Sequence, residues 1–416
     1  MPRTVIYPRY AQARLEEALA DTPVVLVHGP RQCGKTTLAR QVGDALGYVY
    51  ITFDEEVTRA AAQADPTGFV SNLPERVVLD EVQRIPELFA TLKHAVDRDR
   101  RHGRFLLTGS SNVLLRPRLS DSLAGRMEVL HLHPLSQSEL ARTKPPFLEN
   151  LFDGQFPMRR HDRLQASLGE RIVAGGFPAA LARPTARRRS AWYRGYLDTI
   201  VQRDVRDLIR IASLDVIPRL LEVAAGQTAC LLNVAELAEP FRRSRPTIRE
   251  YVTLLENIFV LEHVPPWHSN RLKRLIKTPK LHIADTGLAA ALLRLNVTAL
   301  IQERDMFGRL LETFVFQELR RQASWYEHPI NFHHFRDRDG AEVDIVLERG
   351  ASEVVGVEVK AAATVTSADF RGLRKFKDVC GKRFVVGVVL YDGETAAGFG
   401  DGMFAVPISA LWEEGR

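Results

Sequence analysis

The 416-residue chain has little cysteine: Cys33, Cys230 and Cys380 lie far apart and form no Cys-x-x-Cys pair. An odd and scattered set supports neither a disulfide framework nor a zinc site, and it suits a reducing compartment. Also missing is any run of about 18 apolar residues, the length a membrane-spanning helix requires. The opening stretch Met1 to Tyr7 lacks the apolar core of a secretory signal. These absences exclude a membrane partner and lead to the expectation of a cytoplasmic protein.

The composition, 45% hydrophobic and 26% charged, is that of a globular chain, and the length calls for two or three domains. The formal charge of +6 is uneven, with +1 on residues 1–150, +9 on 151–300 and −4 on 301–416. A basic middle suits a polyanion such as DNA. The competing explanation is a general preference for Arg at surface positions.

The stretch that organises the chain is Gly29-Pro30-Arg31-Gln32-Cys33-Gly34-Lys35-Thr36, set between the apolar run Pro23 to His28 and a helical pattern that opens with Thr37. Glycines stand at the two places where a side chain would block an approaching phosphate, so backbone amides can wrap the anion. Lys35 is placed to reach the β- and γ-phosphates and the Thr36 hydroxyl to ligate Mg²⁺, with the positive end of the following helix aimed at the anion. Residues 29 to 37 are therefore the expected binding segment for ATP with Mg²⁺.

About 45 residues after this loop, the run Arg76-Val77-Val78-Leu79 ends in Asp80-Glu81. In a buried parallel strand Asp80 falls at the carboxyl end, where it can hold Mg²⁺ through water, and Glu81 beside it can polarise an attacking water. The strand Arg104 to Thr108 leads to Gly109-Ser110-Ser111-Asn112. A polar side chain there, Ser110, Ser111 or Asn112, can touch a γ-phosphate, although a Ser/Asn helix cap reads the same way. Arg126, after Leu123-Ala124-Gly125, is either an arginine finger completing a site or a surface ion pair.

These motifs, with Pro134-Leu135-Ser136-Gln137-Ser138-Glu139-Leu140, resemble the prokaryotic AAA-type ATPases whose carboxyl-terminal half is a conserved domain of unknown function. The resemblance covers nearly the whole chain. It implies a five-stranded parallel AAA sheet with the catalytic Glu directly after the Mg²⁺-associated Asp, and it leaves open a homo-oligomer in which Arg126 serves its own site or a neighbour's.

In the middle third, residues 141–170 read as an irregular connection marked by Pro145-Pro146 and Asp153-Gly154. Gly175-Gly176-Phe177-Pro178 and the pair Arg203-Asp204 fit the same family. Asn233 to Ala238, a turn at Phe241 to Ser244 and a helix from Pro246 to Glu256 have the pattern of a helix-turn-helix. Ile248, Val252 and Leu255 point inward and leave Arg242, Arg243, Arg245 and Arg249 exposed for a major groove. Phe259-Val260-Leu261 and Lys280 to Ile283, flanking Arg271 to Arg274, would form the wing. Such a module can equally serve as a protein interface.

In the last third, the amphipathic helix Gly308 to Leu319 precedes a strand Asn331 to Phe335, a second strand Glu342 to Leu347 and a third Val354 to Lys360. Asp344, and fourteen positions later Glu358-Val359-Lys360, is the arrangement of PD-(D/E)xK nucleases. Alternation puts Glu358 and Lys360 on one face, so that Asp344 and Glu358 can share a divalent ion while Lys360 orients water. Glu312 is a further carboxylate. Short Asp and Glu-x-Lys patterns also arise in strands with no catalytic role. The fold class expected is α/β: an ATPase domain over 1–145, a helical connection over 146–215, a winged-helix-like domain over 216–290 and a nuclease-like α/β domain over 291–416.

Overall fold

The computed structural model describes residues 6–110, 123, 125–202, 215–270 and 278–415. The chain divides into two compact units. One comprises Arg9–Leu135 with Asn257–Phe259, and the other comprises Met1–Pro8, Ser136–Glu256 and Val260–Arg416.

The first unit is a three-layer sandwich. Strands β1 (Val24–His28), β2 (Val49–Thr52), β3 (Val77–Asp80), β4 (Phe105–Gly109) and β5 (Met127–His131) form one parallel sheet in the order β2-β3-β4-β1-β5. Its central strands are apolar at successive positions because both faces are covered. Val24, Leu26, Val77, Leu79, Phe105 and Leu107 pack against α3 (Glu56–Ala64), α4 (Pro66–Ser71) and α5 (Leu88–Arg98). Val25, Val27, Val78 and Leu106 face the opposite way, onto α1 (Ala11–Asp21) and α2 (Lys35–Leu46). The sheet is the five-stranded parallel one expected, and β4 lies between the two strands that carry the motifs.

The second unit begins with α6 (Gln137–Ala141), α7 (Phe147–Asp153), α8 (Ala166–Ala174), α9 (Pro178–Leu181) and α10 (Ala186–Ile200). The irregular connection expected over 141–170 therefore contains a helix. Pro146 caps α7, a position where a missing N–H costs nothing. Phe147, Leu148, Leu151 and Phe152 are its buried face, too short a pattern to stand out among the turn residues around it.

Gly175 and Gly176 have a packing role. A Cβ on Gly175, whose φ is +65°, would lie 2.2 Å from both Asp285 Oδ1 and the Tyr193 hydroxyl. Only bare backbone fits there. Asp285 is fully buried and caps α14 (Thr286–Leu292). It accepts from Gly176 N (2.7 Å), the Tyr193 hydroxyl (3.0 Å) and the Arg321 guanidinium (3.2 Å).

Next comes a six-element module: α11 (Val216–Gly226), β6 (Cys230–Leu231), α12 (Val234–Ala238), α13 (Arg245–Asn257), β7 (Leu261–Val264) and β8 (Lys280–Ile283), with the strands in the order β6-β8-β7. Ile248, Tyr251, Val252, Leu254 and Leu255 are the buried face of α13, while Arg242, Arg243, Arg245 and Arg249 are exposed. The strand after α13 starts at Leu261 rather than Phe259, because Phe259 is left-handed (φ 60°) and Val260 N closes the helix onto Leu255 O. Arg271 to Arg274 and the pair Arg203-Asp204 lie outside the described residues.

The last part runs α15 (Val297–Gln302), α16 (Arg304–Ala323), β9 (Ile330–Arg336), β10 (Glu342–Arg349), β11 (Glu353–Lys360), α17 (Arg371–Cys380), β12 (Phe384–Tyr391), β13 (Ala397–Gly398) and β14 (Met403–Pro407). These strands form a mixed sheet ordered β13-β14-β12-β11-β10-β9, with β9, β10 and β11 antiparallel in turn and β11, β12 and β14 parallel. Helix α17 packs on one face through Leu373 and Phe376, so closely that a Cβ on Gly356 of β11 would meet Leu373 at 2.6 Å.

Asp285→Ala should leave the buried Arg321 with Glu318 as its one remaining carboxylate and take the side-chain acceptor from the amides of Gly176, Gly287 and Leu288. The expected loss is about 3–5 kcal/mol of stability, read as a lower urea midpoint, and a change below about 0.5 kcal/mol would mean that the network is not what holds Gly175-Gly176 in place.

Candidate functional site

The phosphate loop follows β1 and enters α2. Gly29 (φ 149°), Gln32 (φ 59°) and Gly34 (φ 106°) give it its turns, and a Cβ on Gly29 would sit 2.2 Å from Leu132 O. A backbone that close to its neighbour leaves glycine as the residue that fits. Cys33 is buried, with its Sγ bonded to Leu132 O at 3.2 Å, and Arg9 bridges the loop to the chain just after β5 by donating to Cys33 O and His133 O, both at 2.6 Å. Lys35 is 6% exposed and donates Nζ to the carbonyls of Gly29 (3.0 Å) and Pro30 (2.8 Å). Its ammonium thus lies along the inside of the loop, where an anion's charge would be met.

Asp80 ends β3 with its carboxylate shared by three hydroxyls. Thr36 Oγ1 donates to Oδ1 at 3.0 Å, the Tyr50 hydroxyl to Oδ2 at 2.6 Å, and the Thr108 hydroxyl to Oδ1. Burial first, and then the bond to Asp80, push the Tyr50 hydroxyl up to about 12, so it stays a donor. Arg40 of α2 stacks over the Tyr50 ring at 3.8 Å. Glu81 is left-handed (φ 60°). Its carboxylate accepts from the Gln83 amide and, at 3.3 Å, from Ser110 Oγ, while Gln83 also donates to Ser110 Oγ at 3.0 Å.

The structure thus brings together Lys35, Thr36, Asp80, Glu81 and Ser110. Arg31 is half-buried, and Gln32 and Thr37 are exposed on the loop and its helix. Asn112 and Ser111 lie outside the described residues. Arg126 precedes Met127, which pairs with Val24 at the start of β1, and so lies at the opposite end of the sheet from the phosphate loop. There its Nε donates to Asp97 at 2.6 Å. The oxygen donors and the glycine cradle fit a nucleotide with Mg²⁺.

In the second unit, Asp344 and Glu358 lie one step beyond the Ile345–Val357 pair of the β10–β11 ladder. They border an open cleft of about 730 Å³ with Glu312, Glu342 and Lys360. Asp344 Oδ2 accepts from Val359 N at 3.0 Å, and Lys360 Nζ stands 3.9 Å from Glu358. Burial, reinforced by the Asp344 charge, raises the Glu358 carboxyl well above its usual range. Lys280, at the start of β8, is 2% exposed and reaches Glu312 (2.9 Å), Glu342 (3.0 Å) and Asp344 (3.3 Å). Burial opposes its charge, yet the three carboxylates hold it protonated. Among the described residues no three His, Cys, Asp or Glu side chains are arranged to hold a metal ion, so Asp344 and Glu358 supply suitable oxygens without a complete cage.

Sequence reasoning missed Tyr50, Thr108, Gln83, Lys280 and Glu342. Thr108 carried a usable signal, as a polar residue near the carboxyl end of the apolar strand beside β3, whereas Tyr50 pairs with Val78 and its long side chain reaches Asp80 two positions further along the ladder. Lys280 carried none, because the pairing that takes β8 to this cleft is not local in sequence.

Residues 21–141 match the family described as AAA domain, residues 165–299 a domain of unknown function, DUF8612, and residues 307–411 a second, DUF4143. The Mycobacterium tuberculosis protein Rv2008c and the Mycobacterium bovis protein Mb2031c are each 31% identical over 414 residues, spanning 99% of this chain and 86% of theirs. Among solved structures, the Walker-type ATPase PABY2304 of Pyrococcus abyssi aligns with a TM-score of 0.45 at 16% identity, over 70% of this chain and 97% of its own. No helix among the described residues is long and apolar enough to cross a membrane.

His28, beneath the loop, is lowered to about 4 by burial and then by the Lys35 charge. With the unfolded value near 6.5, the unfolded chain takes up this proton first. Stability is therefore full above pH 6.5 and falls as pH drops towards 4. His28→Asn should flatten part of that slope in urea titrations, and His334, lowered to about 4 by burial and then by Lys280, contributes a further part with the same sign, as do His282 and His161, both lowered first by burial.

Proposed function

The chain, with its AAA domain and its C-terminal DUF4143 domain, belongs to the family of the Mycobacterium tuberculosis protein Rv2008c, and we propose that it is a Mg²⁺-dependent ATPase whose nucleotide state governs a DNA-engaging C-terminal half. The observation that carries the reading is the 3.0 Å bond from Thr36 to Asp80, which joins the phosphate loop to the carboxylate pair. Mg²⁺ held by Thr36 and, through water, by Asp80 would neutralise phosphate charge. Lys35 exchanges the Gly29 and Pro30 carbonyls for phosphate oxygens. Glu81 polarises the attacking water, and Ser110, bonded to Glu81, is placed to sense the γ-phosphate. Arg126, ion-paired with Asp97 at the far end of the sheet, would have to leave that pair to act as an arginine finger and would then serve another copy of the chain, which makes a homo-oligomer part of the proposal.

For the second unit, the order helix, strand, helix, helix, strand, strand supports a winged helix, with α13 presenting Arg245 and Arg249 to a duplex. The sheet of α16 to β12 supports a PD-(D/E)xK-like fold, in which Asp344 and Glu358 hold a divalent ion and Lys360 orients water. A second reading, a DNA-binding or assembly module whose cleft does not cut, is favoured by the three ion pairs of Lys280.

Lys35→Ala should abolish ATP binding. Glu81→Gln should keep ATP and lose about 10²-fold or more in kcat. A Lys35→Ala protein that hydrolysed ATP like its parent would sink the assignment. Incubating supercoiled DNA with Mg²⁺ or Mn²⁺ and ATP separates the two readings of the cleft. Cleavage abolished by Asp344→Ala and by Lys360→Ala supports the nuclease, and gel retardation alone supports the binder. Removing Arg245 or Arg249 should weaken DNA binding and reduce its salt slope by about 1 for each phosphate no longer neutralised.

A further inference from the structure

The carboxylates of the C-terminal cleft are already served by a cation that belongs to the chain. Lys280 stands outside the α16-to-β14 fold, as the first residue of β8 in the three-stranded sheet that follows α13. Its stem is buried and its Nζ ends within 3.3 Å of Glu312, Glu342 and Asp344, which come from α16 and β10. Asp344 is the shared member. Oδ1 takes the Lys280 ammonium and Oδ2 takes the Val359 amide, so both of its oxygens are engaged before any ion arrives. A buried lysine meeting three acids from two other elements is costly to arrange, since each charge has to leave water.

We propose that Lys280 is an intramolecular lock on the cleft: its ammonium and a divalent cation compete for Glu312 and Asp344, and the cleft takes the ion only when β8 releases Lys280. The inference rests on reading Asp344 and Glu358 as a divalent-cation pair. With Glu312 and Asp344 turned to the ammonium, no three His, Cys, Asp or Glu side chains among the described residues are arranged to hold a metal ion. Release also has a mechanical route, because β8 is paired with β7, the strand that directly follows the arginine-bearing helix α13.

The test is Mn²⁺ binding to the full, nucleotide-free chain, followed by electron paramagnetic resonance of the free ion. The cleft's share is defined as the component that Asp344→Asn removes. The unmodified chain should show no such component at micromolar Mn²⁺. Lys280→Met, which keeps the stem and removes the charge, should gain one at least tenfold tighter, and Lys280→Arg should behave like the unmodified chain. An Asp344-dependent site of equal affinity in the unmodified and Lys280→Met chains overturns the lock and leaves the cation pair standing. No Asp344-dependent binding in either overturns the cation pair and the lock with it.

A measurement on the native sequence covers the case in which Lys280→Met does not fold. Lys280 should resist acetylation by an amine-reactive ester, read by mass spectrometry, and become several-fold more reactive as Mn²⁺ reaches millimolar concentration, but not in Asp344→Asn. Reactivity indifferent to Mn²⁺ in the unmodified chain overturns the lock.

Discussion

One carboxylate ties the first unit together. Asp80 sits at the end of a fully buried strand, where an ionised group without partners would be expelled or protonated. It remains because three hydroxyls converge on it from three elements: Thr36 from α2, Tyr50 from β2 and Thr108 from β4. Those bonds fix the phosphate loop against the sheet, set the distance from loop to strand, and orient the turn that carries Glu81. The same three donors that satisfy Asp80 in this state are the ones a bound ion would share or displace, so the local stability of the sheet edge and the chemistry of the site depend on the same atoms.

The second unit solves the same problem of buried charge in two places. Around Asp285, the carboxylate is met by donors whose own positions are fixed by packing: the amide of Gly176, the Tyr193 hydroxyl and Arg321. Arg321 also bonds Glu318, which in turn accepts from Gln137 N at the start of α6. The chain of bonds joins α6, α8, α10, α14 and α16 into one body. Around Lys280 the balance is different, because three carboxylates face one ammonium. Burial first, and then the neighbouring Asp344 charge, raises the Glu312 carboxyl well above its ordinary value. The Asp285 network also sets two carboxylates against one guanidinium, but amides and a phenol fill their remaining acceptor positions.

The local sequence determined the parts of this protein whose physics is local. The glycines at 29 and 34, the lysine and threonine after them, and the apolar run ending in Asp80-Glu81 dictate a strand, a phosphate-sized loop, a helix and a buried acidic strand end. All of these stand where the pattern placed them. The helix-strand order of the last third and the adjacency of Asp344 and Glu358 were legible for the same reason, since alternation and hairpin register follow from spacing. Helix α7 was not, because two turns of apolar spacing between proline and glycine carry too little periodicity. Tertiary structure alone decided the rest. Strand order carried Arg126 to the far end of the sheet from Lys35, brought Thr108 and Tyr50 onto Asp80, and delivered Lys280 to acids between 32 and 64 residues away. Electrostatic partners of buried charges are chosen by which surfaces meet in the folded core, and no window of sequence contains that information.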